Sequence, residues 1–353
     1  MRIEPVLQRI YEAELPEAKD LEFLLALEDK TSAGKIFAFA DKVRRQYAGD
    51  GILLRGIIEF SSFCRNNCFY CGLNRNNVNL PRYRMDSRQI MECVARIAES
   101  GIKTVVLQSG EDESVEAEWL KDIILEIKSG YDMAVTLSVG ERDIEDYRSW
   151  KYAGCDRYLL KIETRDKALY ESLHPGMSFE NRLKCLKNLA ALGYQTGCGN
   201  IIGLKGQSIK SIAGDILFFK QENFDMIGIG PFIPHPGTAL AKENTGGLDL
   251  TLKALALTRI VTKSAHLPAT TALGSIGDKD SRMEGLKCGA NVLMLNFTPD
   301  NYRKLYEIYP GKRCVNEHES FYKGYLKDVA AVCGRSLDYS RGDTLQICVE
   351  RRK

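Results

Sequence analysis

The chain carries no excess of either charge. Across 353 residues, 49 Lys and Arg stand against 47 Asp and Glu, a net of +2, which argues against a nucleic-acid or membrane-surface partner. No apolar run approaches the roughly eighteen residues that a membrane-crossing helix needs. The opening stretch, MRIEPVLQRIYEAELPEAKD, is charged throughout and lacks the apolar centre of a signal peptide, so the expected compartment is the cytoplasm. Thiols stay reduced there, and the eleven cysteines, an odd number, read as ligands, core residues or free thiols rather than disulfides. Low-complexity tracts and Pro/Gly/Ser linkers are missing as well. No Gly-rich dinucleotide loop follows the first predicted strand, which weighs against an open doubly wound sheet.

What the chain does have is a recurrent alternation. Short β-rich runs occur at 57–60, 104–109, 134–139, 157–163, 198–204, 226–233, 267–273 and 291–296. Segments of helical period separate them, among them 87–100, 116–128 and 179–192. Glycines before several strands, such as Gly101, Gly154, Gly193 and Gly289, mark helix ends. Eight strands alternating with helices predict a parallel (β/α)8 TIM-type barrel with right-handed crossovers. Residues 1–50 are expected to form a helical extension, 51–301 the barrel, and 302–353 a C-terminal segment closing it. A 44% hydrophobic content supplies the core for one large domain.

The strongest chemical signal is Cys64-Arg-Asn-Asn-Cys68-Phe-Tyr-Cys71, four residues after the first predicted strand. A barrel carries its catalytic loops at that end of its strands. By chance this spacing has an expected occurrence of roughly 0.01 in such a chain. Three thiolates on one loop can ligate three irons of a cubane cluster and leave the fourth open to a small molecule. A structural zinc site would need a fourth Cys or His nearby, and the next fifteen residues hold none. Ser109-Gly110-Glu111-Asp112 ends the second strand, where glycine admits a close backbone approach and the acid can pair with an ammonium. Glu163 ends the fourth strand and could bind ribose hydroxyls or an ammonium; the alternative is a rim salt bridge.

The cysteine run resembles the signature of the radical S-adenosylmethionine (SAM) superfamily, C-x3-C-x-φ-C, with Tyr70 as the aromatic φ. The resemblance implies one [4Fe–4S] cluster on Cys64, Cys68 and Cys71, and reductive cleavage of SAM to a 5′-deoxyadenosyl radical. It further implies that Gly110 and Glu111, with Gln108 and Ser109, form the motif that holds the SAM amino group. Arg182 would meet the SAM carboxylate, as guanidinium forks fit carboxylates. Asn200 and Gly203, with Gly199 before them, would form the adenine motif, and Thr136 and Ser138 polar lining.

The stretches IIEFSSFCRNNCFYCGLNRNN, RYRM, VVLQSGED, SFENRLKCL, DMIGIGPFIPHPGTALA, LPATTALG, CGANVLMLNFTP and YPGKRCV are similar to the HydE branch, the maturases of [FeFe]-hydrogenase. More distant resemblances lead to 3-methylornithine synthase-like mutases and to biotin synthase-like sulfur-insertion enzymes. Membership in the HydE branch implies a cavity lined by Arg55, Gln108, Arg157, Thr270, Thr271, Tyr306 and Tyr309. Such a set suits a small anionic or zwitterionic ligand. The implied partners are a small sulfur-containing or amino-acid-like substrate, a reducing protein such as a ferredoxin or flavodoxin, and other hydrogenase maturases.

Two departures stand out. The branch often holds a second cluster on three C-terminal cysteines; here Cys314 matches the first position and Tyr322 and Tyr325 occupy the others, so no auxiliary cluster is expected. Cys333 and Cys348 do not fit that spacing. Lys161-Ile162 replaces the branch's usual Arg-His before Glu163, which bears on the substrate. A non-catalytic metal scaffold is the alternative from another functional class.

Overall fold

The computed structural model describes residues 3–317 and 319–346. Eight parallel strands run through the middle of the chain: β1 (Gly51–Ser61), β2 (Thr104–Ser109), β3 (Ala134–Ser138), β4 (Arg157–Leu159), β5 (Gln195–Ile202), β6 (Met226–Pro231), β7 (Pro268–Ala269) and β8 (Val292–Asn296). Their order is β6-β5-β4-β3-β2-β1-β8-β7. A parallel bridge between Met226 and His266 joins the two ends, so the sheet is a nearly closed barrel, as the alternation predicts. β1 is longer than its apolar run suggests because β2 and β8 pair along its two sides. β7 is shorter, because Thr270 already caps a turn of helix by accepting from the Leu273 N–H at 3.3 Å. β4 pairs with β3 only at Arg157 and Tyr158; beyond that point the wall parts and the barrel interior opens.

Helices with one apolar face cover the outside. The helix Ser87–Glu99 begins with a capping box between Asp86 and Gln89 and buries Ile90, Cys93, Val94 and Ile97. The N-terminal extension is helical, at Ile3–Glu12, Ala18–Leu25 and Lys30–Ala48. It packs over the helix Leu248–Thr262, which is buried along Thr251–Val261. There Lys253 donates from Nζ to the Leu25 carbonyl at 2.9 Å.

The C-terminal segment visits both ends of the barrel. Residues 302–317 cross the C-terminal ends of the strands. The segment then descends along the helix Glu319–Cys333 to β9 (Ser336–Asp338), which pairs parallel with the start of β1. Residues 341–346 run beneath the N-terminal strand ends. Arg157, fully buried at the start of β4, donates to the Arg341 carbonyl at 2.6 Å, to Asp343 at 2.8 Å, to Thr104 at 3.2 Å and to Gln195 at 3.0 Å. His266 reaches the Asp343 carbonyl at 2.9 Å, and the Thr344 hydroxyl donates to Asp225 at 2.6 Å. The floor is closed by the chain itself.

Candidate active site

The cysteine loop is held from beneath by residues that follow it in the chain. Arg82 donates to four backbone carbonyls: Ser62 at 2.5 Å, Leu73 at 2.9 Å, Asn74 at 2.8 Å and Asn77 at 3.3 Å. Arg84 forks onto Asp112 at 2.6 and 2.9 Å and lies over the Phe63 ring at 3.8 Å. Asp112 also accepts from Ser61 at 2.6 Å. The Arg-Tyr-Arg and Gly-Glu-Asp stretches thus interlock under the loop. Two glycines set the fit. A Cβ at Gly110 would run into the Phe63 carbonyl oxygen and come within 2.9 Å of Cys64 Cβ. A Cβ at Gly72 would strike the Glu307 carbonyl oxygen, where the Gly72 N–H donates to Ile308 at 2.9 Å. The crossing segment 302–317 therefore sits directly on the loop.

Cys64, Cys68 and Cys71 are largely buried and free. Burial pushes the Cys68 thiol up to about 12; Cys64 adds to the shift and Arg182 opposes it. Cys71 is raised further, by burial and then by Cys68 and Cys64. Metal ligation needs thiolates, so cations at the loop favour the ligating form. Among the described residues no trio of His, Cys, Asp or Glu converges on a single-ion position. A cubane takes each thiolate on a different iron. The donor set fits such a cluster.

Tyr70, between two of the thiols, is pinned by its hydroxyl to His174 Nε2 at 2.7 Å. His174 Nδ1 lies 2.7 Å from the Tyr170 carbonyl and so carries the proton, which makes Tyr70 the donor to Nε2. Burial lowers the His174 pKa to about 3. Phe69, Tyr70 and Ile201 pack against a small apolar cluster of Leu169, Leu173, Leu204, Phe232 and Leu240. Ile201 is the middle residue of the Gly199-x-Ile201-x-Gly203 stretch. Gly203 takes a positive φ, and Gln207 closes its turn by accepting from the Gly203 N–H at 2.7 Å and donating to the Ile201 carbonyl at 2.9 Å.

Glu111 is almost fully buried and already engaged. Its carboxylate takes Arg65 at 2.6 Å and the Glu141 N–H at 2.8 Å, so it braces the cysteine loop. Ser109 donates to the Gly110 carbonyl at 2.6 Å. Arg182 is buried and bound to Glu141 at 2.6 Å and to the Lys161 carbonyl. Glu141, a partner to both motifs, has no local signature in the sequence. Glu163 has a left-handed φ of 63° and pairs with Lys161 at 2.9 Å. Cys68, Tyr70, Glu163 and Arg182 are near enough to act on one another electrostatically.

Below the rim, registers place Glu59, Gln108 and Ser138 at one level and Ile57, Val106, Thr136 and Arg157 at the next. Gln108, Ser138, Leu159 and Met294 are partly exposed within otherwise buried strands, and Lys161 is partly exposed just beyond β4, which marks an open lumen. Buried polar atoms without a hydrogen-bond partner among the described residues include Arg55 Nη2, Thr136 Oγ1 and Asn200 Oδ1. Arg55 donates from Nη1 to the Met226 sulfur at 3.0 Å. Its pKa is pushed well down by burial and then by Arg157. Asn200 does not face the lumen; its amide donates to Asp215 on the covering helix at 2.9 Å. Ile162 is fully buried in the main hydrophobic cluster, while its neighbour Lys161 is partly exposed.

Tyr306 and Tyr309, in the crossing segment, are buried. The segment is anchored by a buried ion pair of Lys312 with Glu59, whose other oxygen accepts from Asn296 at 2.9 Å. Thr270 donates to the Ile229 carbonyl at 3.2 Å, and the Thr271 carbonyl accepts from Ser275 at 2.8 Å. Cys314 is buried beside Asn296 at 3.5 Å. Tyr322 donates to the Asn296 carbonyl at 2.6 Å, and Tyr325 to Asp280 at 3.0 Å. Cys333 is half-buried; Cys348 lies outside the described residues. No described helix is long and apolar enough to cross a membrane.

A family model described as the Radical SAM superfamily matches residues 58–219. The chain is 51% identical, over 85% of its length and 86% of the relative's, to the [FeFe] hydrogenase maturase subunit HydE of Thermotoga maritima. It is 29% identical, over 87% of each chain, to the 3-methylornithine synthase of Methanosarcina acetivorans. Two solved structures share the fold. Methylornithine synthase (PylB) superposes with a TM-score of 0.81 at 24% identity, over 94% of this chain and 97% of that one. HydG, a maturase of the [FeFe]-hydrogenase, gives 0.81 at 17% identity, over 96% and 76%.

Proposed function

This chain belongs to the HydE branch of the radical SAM superfamily, and from that membership we propose that Cys64, Cys68 and Cys71 hold its one [4Fe–4S] cluster for a HydE-type reaction. The observation that carries the reading is the seating of the C-x3-C-x2-C loop on Gly110 and Arg82 at the C-terminal end of β1. When bound, the cluster and SAM supply reductive cleavage to a 5′-deoxyadenosyl radical.

The chain's own residues orient and enclose. Tyr70 and Ile201 offer the apolar wall for an adenine, and His174 fixes the Tyr70 ring. Glu163 serves ribose hydroxyls or the amino group, and Arg182, aimed by Glu141, serves the carboxylate. Gly110 and Glu111, with Gln108 and Ser109, shape the end of β2 against the loop. Asn200 and Gly203 shape the end of β5, and Thr136 and Ser138 line the space between. A small sulfur-containing or amino-acid-like substrate occupies the lumen, where the unpartnered Arg55 nitrogen offers charge to an anionic group and Arg157 adds positive potential beside it. Thr270, Thr271, Tyr306 and Tyr309 enclose it, and the segment 302–317 keeps water out.

The reading includes one cluster only, because the two positions beyond Cys314 are tyrosines whose hydroxyls are already bonded. A ferredoxin or flavodoxin in a reducing cytoplasm supplies the electron, and other hydrogenase maturases act beside it. The test is cell-free maturation of an [FeFe]-hydrogenase with this chain as the sole HydE-type component. Restored hydrogen production is the expected result. SAM cleavage without maturation would assign the chain to a paralogue acting on another substrate.

A further inference from the structure

Asp215 is a fully buried carboxylate on the helix Ile209–Gln221, outside the barrel wall and beyond the lumen. It holds two strand ends at once. One oxygen accepts from the Arg165 backbone N–H at 2.5 Å; the other accepts from Asn200 Nδ2 at 2.9 Å. Between those two anchors lies Glu163. Its φ of 63° is a conformation that a side-chain-bearing residue keeps only where its surroundings impose it. The Glu163 N–H donates to Gly199 at 3.0 Å, and the Glu163 carbonyl accepts from Ile201 at 3.1 Å. Gly199 and Ile201 flank Asn200, and Arg165 stands two residues beyond Glu163. The carboxylate therefore grips both sides of the strained residue.

We propose that Asp215 is a positioning residue for SAM, fixing Asn200 and the turn at Arg165 so that Glu163 keeps its left-handed conformation. The inference rests on the reading of Glu163 as a SAM-binding side chain. Both of its bonds are accepted from N–H donors, so the ionised carboxylate is the form that makes them, and a proton would remove one acceptor site. Burial raises the Asp215 pKa to about 7, against the two hydrogen bonds and with help from Asp166 and Glu163. The other charges at this corner are Lys161, paired with Glu163 at 2.9 Å, and the Arg165 guanidinium, which lies over Phe179 and Phe218 at 5.2 and 5.4 Å. SAM affinity should therefore weaken as pH falls from 8 to 6.

The experiment is equilibrium dialysis of labelled SAM against the reconstituted protein across that range, for wild type, Asp215→Asn and Glu163→Gln. Asp215→Asn turns an amide N–H toward a donor. It should weaken SAM binding about tenfold at pH 8, in the range for a residue supporting a ligand-binding group, and flatten the pH dependence. At saturating SAM, 5′-deoxyadenosine formation should change far less than the affinity. Wild-type affinity that does not fall between pH 8 and pH 6 would overturn the proposal even if Asp215→Asn failed to fold. If Glu163→Gln weakens binding and Asp215→Asn does not, the positioning role falls and the reading of Glu163 stands. If only Asp215→Asn weakens it, Glu163 is misassigned and Asp215 acts through Asn200. If neither does, both fall.

Discussion

At the barrel floor the Arg157 guanidinium is matched by the chain's own C-terminal segment; at the rim, Glu163 holds a strained backbone. Arg157 has Nε, Nη1 and Nη2 all engaged, by Gln195, Thr104, Arg341 and Asp343. Thr136 Oγ1, level with Arg157, and one nitrogen of Arg55 have no hydrogen-bond partner among the described residues, so the lumen keeps polar groups unmatched down to the floor, while the strained backbone of Glu163 stands at the rim. Strain of that kind persists only where the surroundings impose it. In a barrel of this class the C-terminal face is where the catalytic loops gather.

The two ends differ most at the cysteines. On the proposed ligation, Cys64→Ala should lose the cluster iron and lower SAM cleavage by more than about a thousandfold, because a cluster ligand would be part of the catalyst. Circular dichroism and melting temperature should stay near wild type; activity that persisted would remove the central assignment. Gly110→Ala comes next. Its methyl has no room beside Phe63 and Cys64, so reconstituted iron should fall by more than about half, through displacement of the loop.

A floor variant should show the opposite pattern. Truncation after Arg335 strips Arg341 and Asp343 from Arg157 and the Asp343 carbonyl from His266 and should cost roughly 3–5 kcal/mol, because Arg157 is left buried without its charged partner. Melting should drop by about 5–10 °C while iron loading is retained. If iron is lost in step with stability, the two ends are not separable. Arg82→Gln removes charged donors to four loop carbonyls and should slow iron uptake severalfold, each such bond being worth about 1.5–3 kcal/mol at most.

The smallest effect concerns pH. His174 at the rim and His266 near the floor both have pKa values lowered to about 3, chiefly by burial. The unfolded chain takes up these protons near 6.5 and the folded chain does not. Their stabilising contribution is therefore present above pH 6.5 and is lost as pH falls from there toward 3. The melting temperature should decline over that window, and the decline should be shallower in His174→Gln. An unchanged slope would mean that His174 is charged in the fold.

The sequence makes the repeating part of this structure legible. β2 matches its β-branched run to the residue, and the cysteine loop declares itself because its spacing is local. β9 is three residues, Ser336–Asp338, and exists only by pairing with β1; nothing in its composition marks a strand. Glu141 and Lys312 escape for the same reason, since each is defined by a partner far away in the chain. Family resemblance places Arg157 in a substrate cavity, and the fold sets it at the floor against the tail. Asn200 belongs to a motif that resembles an adenine site, yet its amide turns outward to Asp215. Which way a strand residue points depends on the barrel's registers.

The most direct test of the account is iron and SAM chemistry on one anaerobically reconstituted sample. About four irons per chain, with 5′-deoxyadenosine formed on reduction in the presence of SAM, is the predicted result. About eight irons per chain, or zinc with no SAM cleavage, would contradict it.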